Sequence, residues 1–168
     1  SSSSTISFTS GIDSTYDEYV FKFINIHPAT EGTKFMFNAS VDGGSNYNVT
    51  KTTTAFRAYH TEDDSSGFSY LTGYDLAQST SDMFLNQNLG NADDSHVCGT
   101  MSLFSPSNTT FVKHFINRTE SMNQASSVAS TDFFSAGYLN TTSAVNAIIF
   151  KMVSGNIDSG TIKLYGVS

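Results

Sequence analysis

Apolar and polar side chains alternate along most of this chain, and no stretch of useful length repeats at the 3.6-residue period of a helix. "DEYVFKFINIHP" places Tyr19, Phe21 and Phe23 on one side and Val20, Lys22 and Ile24 on the other, with Pro28 as a stop. Both sides are partly apolar, which predicts a central strand. "TKFMFNASV" sets Phe35, Phe37, Ala39 and Val41 on one face. Asp42-Gly43-Gly44 then reads as a turn and "TTTAFRAYH" as the returning strand of a hairpin. "FSYLTGYDLAQST" fits a strand followed by a wandering segment, and Met83–Leu85 is a short apolar group inside a long polar stretch. Further strands are predicted at "HVCGTMSLF", "NTTFVKHFINR", "TDFFSAGYL", Val145–Val153 and "GTIKLYGV". The last of these sets Ile162 and Leu164 against Thr161, Lys163 and Tyr165.

Nine or ten strands in a chain of 168 residues fill one domain. β-Branched and aromatic residues dominate them, and turn residues separate them at roughly 8–15-residue intervals, which points to an all-β, antiparallel β-sandwich of jelly-roll type. Residues 11–168 form the predicted domain, and the Ser-rich 1–10 stretch is predicted to be a flexible lead. Both terminal strands are expected to pair inside a sheet. Ser81–Ser95 and Arg118–Thr131 are expected as long loops, the second with a helical turn.

Charge narrows the function. The net charge is −7, and the eight Lys and Arg residues are scattered, which argues against a nucleic-acid surface. No apolar run approaches the ~20 residues of a membrane-spanning helix, and the charged start and apolar centre of a signal peptide are missing, so neither membrane insertion nor ordinary secretion is expected. Cys98, with apolar neighbours, reads as a small buried hydrophobe and not a catalytic thiol. His27, His60, His96 and His114 lack the close spacing of a zinc pair. The acidic loops around Asp13, Glu62-Asp63-Asp64 and Asp93-Asp94 do not follow EF-hand spacing. No nucleophile elbow or phosphate-cradling loop occurs, so no catalytic residue, metal or cofactor is assigned.

What the chain has in plenty is Ser, Thr, Asn and Gly, with Tyr in turns. Exposed Tyr among Asn and Asp suits sugar or protein contact. The candidate binding residues are therefore Tyr47, Tyr70, Tyr74, Asn86, Asn88, Asp93, Asp94 and Asn123, drawn from predicted loops. Five N-x-S/T sequences stand at Asn38, Asn48, Asn108, Asn117 and Asn140. The first and fourth fall in predicted strands, where a glycan would not fit.

The wording of "GIDSTYDEYVFKFINIHPAT", "DGGSNYN", "SPSNTTFVKHFI", "GYLNTTSAVNAIIFKM" and "SGNIDSGTIKLYG" resembles a family of β-rich virion proteins of tailed bacteriophages, especially those of marine bacteria. The resemblance runs from about Gly11 to the end. It implies a non-enzymatic structural protein on the particle exterior, either a capsid decoration or cement protein or a tail fibre or appendage. The implied partners are other virion proteins and two further copies in a homotrimer. Assembly would take place in the host cytoplasm. A tail fibre domain that binds a host surface glycan is the alternative, and a secreted carbohydrate-binding module a third.

Overall fold

The computed structural model describes residues 2–123 and 128–168. Among them the strands are β1 (Thr5–Phe8), β2 (Glu18–Pro28), β3 (Phe35–Ser40), β4 (Lys51–Thr61), β5 (Ser66–Tyr70) and β6 (Met83–Phe84). They continue as β7 (Val97–Phe104), β8 (Lys113–Asn123), β9 (Ala129–Leu139), β10 (Ala147–Met152) and β11 (Ile157–Val167). The described residues contain no helix. Two antiparallel sheets pack together, a small one ordered β1-β10-β3-β6 and a large one ordered β11-β2-β7-β8-β9-β4-β5. The protein is an all-β sandwich.

The pairings nest. β1 pairs with β10, β2 with β7, β3 with β6 and β4 with β5, and successive pairs alternate between the small and the large sheet. A ribbon folded across two sheets in this way is a jelly roll. Two departures enlarge it. The hairpin β8–β9 is inserted between β7 and β4, and β11 is added outside β2.

Phe21, Phe23, Phe35, Phe37, Phe115 and Phe150 are buried between the sheets. Phe150 lies at its centre, with ring centroids 5.1 Å from Phe21, 5.3 Å from Phe23 and 5.6 Å from Phe35. Close packing of this kind is what selects one register, because a one-residue slip would turn every ring to the other face.

Four expectations need correction. Asp42-Gly43-Gly44 does not close a β3–β4 hairpin, because β3 lies in the small sheet and β4 in the large one. The turn residues are right, but the crossing between sheets is a long-range matter. The 1–10 stretch is not a lead outside the domain: β1 pairs with β10, and Ser3 exchanges two backbone hydrogen bonds of 2.8 Å with Ile157. The terminal strands are edges and not interior strands, since β1 and β11 each end a sheet. β11 manages that position with two register irregularities before Thr161 and with the exposed Lys163, both of which discourage uncontrolled edge pairing. Finally, Arg118–Thr131 is mostly strand, the facing arms of β8 and β9; residues 124–127 of that segment lie outside the described residues.

The closing Leu-Tyr-Gly has a local reason. A Cβ on Gly166 would overlap the ring of Tyr16, which itself packs edge-on against Tyr19 at 5.9 Å. Only the absence of a side chain lets the segment before β2 close over the last strand.

Candidate binding face

Inserting β8–β9 widens the large sheet beyond what the small one covers. On its inward side polar residues then stand among the apolar Phe115 and Phe133: Asn117, Thr119 and Ser121 on β8, Thr131 and Ser135 on β9, all buried. Phe84 of β6 and Leu85 just after it lie against Asn117, Thr119 and Ser135. A loop presents backbone carbonyls that need donors, and the hairpin supplies them. Asn117 donates to the Leu85 carbonyl at 3.2 Å, Thr119 donates to the same oxygen, and Ser135 donates to the Phe84 carbonyl at 3.4 Å. Asn117 and Ser135 are also joined at 3.2 Å.

Two lysines close the other end of this inner face. Lys51 and Lys113 are both register partners of Leu139, and both are buried. Lys51 Nζ donates to Asn38 Oδ1 at 2.9 Å and to the Ser81 carbonyl at 2.7 Å. Burial lowers its pKa to about 8, against the opposing pull of Asp82. Lys113 Nζ donates to the carbonyls of Phe111 and Thr141 and is lowered in the same direction by burial. These cations tie loops to strands.

The opposite, outward face of the widened sheet has no covering layer among the described residues. Period two sends Phe56 of β4, Phe68 of β5, Phe134 of β9 and Ile116 and Arg118 of β8 outward together. Phe56 and Phe134 stack with centroids 4.9 Å apart and planes 10° from parallel, and Phe68 follows at 5.4 Å. Arg118 lies over Phe134 at 4.9 Å, held there by a two-point bond to Asp132 at 3.1 and 2.7 Å. Beside this row, small side chains make a groove of about 490 Å³ lined by Thr52, Thr54, His114, Ile116, Ala136 and Tyr138. Phe68 is 71% exposed and Ile116 54% exposed. Together they form an exposed apolar patch on the open sheet.

Of the residues chosen from sequence, Tyr70 alone stands on this face. It is half exposed on β5 and donates to Asp75 at 2.6 Å, a bond that raises its own pKa. Tyr74 turns inward against Phe84 and Phe133, with Lys34 over its ring. Tyr47 is half-buried against Gly44. Asn86 is not an exposed loop residue but fully buried: its Oδ1 accepts the Phe35 N–H at 2.6 Å, standing in for the carbonyl that β6 would offer if it were longer. Asn88 is half-buried, and Asp93 and Asp94 are exposed before β7. Asn123 is the last residue of β8, and its side chain lies outside the described residues. The eight residues do not share one site.

The residues that do share the outward face were signalled in sequence only by alternation. "FVKHFINR" sets Ile116 with His114 and away from the buried Phe115, so an outward Ile was readable there. Cys98, expected in the core, is half-buried on the outward side of β7 and bonds to Asn25 at 3.3 Å. Asn38 and Asn117 are both buried, as their strand positions implied. Among the described residues no group of three or more His, Cys, Asp or Glu is placed to hold a metal ion. Compared with known proteins, the chain matches no protein family and no curated protein.

Proposed function

We propose that this jelly roll is a non-enzymatic structural component of a tailed-bacteriophage virion's exterior, a capsid decoration or cement protein or a tail appendage, and that it acts by protein–protein assembly. The observation that carries the reading is the open outward face of the large sheet, where Phe68, Ile116, Phe134 and Tyr70 stand without a covering layer. Burying such a face against a neighbour recovers about 25 cal/mol for each Å² of apolar surface. The sequence resemblance to phage virion proteins supplies the context, and a homotrimer follows from it.

Immunogold labelling of intact virions with antibody against the purified domain tests the reading. Gold over the head is the outcome for a decoration protein, and gold on the tail is the outcome for an appendage. Unlabelled particles would overturn the proposal.

A second reading is favoured by the groove beside the stacked rings. Thr52, Thr54, His114 and Tyr138 offer hydroxyl and imidazole groups around an apolar floor, a lining that suits a sugar ring. Under this reading the domain binds a host surface glycan, and Tyr138→Ala abolishes retention on host polysaccharide while leaving the melting temperature within a few degrees.

A further inference from the structure

The cations of this chain can be accounted for one by one. Lys51 and Lys113 are buried and hydrogen-bonded. Lys151 pairs with Asp82 at 3.0 Å, and Arg118 with Asp132 at 2.7 Å. Lys34 lies over Tyr74 and Phe84, and Arg57 over Tyr59. Of the eight Lys and Arg residues that leaves Lys22 and Lys163, which have no ion-pair or ring partner among the described residues. They are direct register partners on β2 and β11, and both are exposed. Like charges set opposite each other on neighbouring strands repel. In a chain of net charge −7, the two free cations have been placed side by side.

The far edge of the same sheet carries the complement. β4 and β5 are joined through Glu62, Asp63 and Asp64, all exposed. Asp64 N–H donates to the Thr61 carbonyl at 3.1 Å and Ser65 N–H to Thr61 Oγ1 at 3.0 Å, which fixes the turn. Apolar exposure follows the same division. Phe68 and Tyr70 stand on the β5 edge, and Tyr165 and Val167 on the β11 edge, 48% and 43% exposed. The charge is local and not uniform along either edge: Glu18 and Asp158 stand toward the two ends of the β2–β11 ladder with the lysine pair between them, and Asp64 lies 3.2 Å from His60, so the acidic turn presents chiefly Glu62 and Asp63.

We propose that copies of this chain associate head to tail, the Lys22–Lys163 edge of one against the Glu62–Asp64 edge of the next. A two-fold contact of one edge with its own copy would oppose lysines to lysines or carboxylates to carboxylates. A cationic edge meeting an acidic edge is heterologous, and heterologous contacts close into rings when the rotation permits. This inference rests on the assembly reading above and names the surfaces that assembly uses.

Sedimentation velocity on the whole chain tests it, in about 0.05 M and about 0.5 M salt, since screening over roughly 4–14 Å separates the two conditions. The wild type is expected to associate at low salt and to shift at least tenfold toward monomer at high salt. Lys22→Glu with Lys163→Glu is expected to be monomeric, as is Glu62→Lys with Asp64→Lys, each with an unchanged circular dichroism spectrum. Mixing the two variants restores salt-sensitive association of unlike variants, as alternating pairs and not as a closed trimer, because only unlike variants now present opposite signs to each other. A wild-type oligomer that both variants leave intact overturns the proposed surfaces while the assembly reading stands. A wild type monomeric at both salts overturns the ring, even where the lysine pair retains an anionic polysaccharide, and virion labelling then judges the exterior reading separately. A mixture that stays monomeric overturns the proposal as well.

Discussion

The inner face of the large sheet has two halves that follow different rules. Around β2 and β7 it meets the small sheet, and the inward residues are Phe21, Phe23, Met101 and Leu103. Across β8 and β9 the inward Asn117, Thr119, Ser121, Thr131 and Ser135 stand among the apolar Phe115 and Phe133, and the carbonyls of Phe84 and Leu85 lie against them. Both halves are buried. A sheet has its backbone groups already paired and wants apolar contact; a loop brings carbonyls that must be satisfied. Where backbone carbonyls lie over a strand, its inward face carries hydrogen-bond donors among the apolar side chains.

The comparison can be broken by substitution. The largest effect is expected at Phe150, whose ring contacts Phe8, Phe21, Phe23 and Phe35. Phe150→Ala should cost about 3–5 kcal/mol in urea unfolding, the range for a large cavity in an aromatic core. A loss under ~1 kcal/mol would mean that the sheets do not pack as tightly as these distances imply.

A pH effect comes next. Lys51 has a folded pKa of about 8 against an ordinary value of 10.5. Below pH 8 both states carry the proton, and the folded state bears the full cost of the buried charge. Between pH 8 and 10.5 the unfolded chain binds more protons than the folded one, so stability rises with pH across that window, by up to about 3 kcal/mol. Lys113 adds in the same direction. Thermal melts from pH 7 to 10 should show the rise, and Lys51→Met should remove most of it. Stability that is flat or falling over this range would contradict the burial of the ammonium group.

In the polar half, one substitution should change sign between neighbours. Thr119 donates to the Leu85 carbonyl, whereas Thr131 Oγ1 is buried with no hydrogen-bond partner among the described residues. Thr119→Val should lose about 1–2 kcal/mol, and Thr131→Val should be neutral or gain up to about 1 kcal/mol. Equal losses at both positions would show that the two hydroxyls are satisfied alike. The smallest effect belongs to the outward face: Asp132→Asn frees Arg118 but should change stability by less than about 1 kcal/mol, because the pair is largely exposed. If this face binds a neighbour, the same variant should weaken binding far more than folding.

The strands were legible because alternation is a local property. Tyr19-Phe21-Phe23 and Phe35-Phe37-Ala39 announce their buried faces within ten residues, and Asp42-Gly43-Gly44 announces a turn. Candidate contact residues were less so. Choosing Asn86 because it sits in a polar stretch failed, since a side-chain amide is polar whether it faces water or caps the end of a strand, as it does here for Phe35.

By itself, then, the sequence determined an all-β chain, the order and approximate extent of its longer strands, and which residues of each strand share a side. Tertiary structure alone decided that β3 and β4 part into different sheets, that β8–β9 slips between β7 and β4, and that both termini end as edges. The physical reason is one of range. A period of two is written by neighbours along the chain, but strand partners and covering layers are set by contacts between residues far apart in sequence, as when Thr5 meets Lys151 and Asn117 meets Leu85.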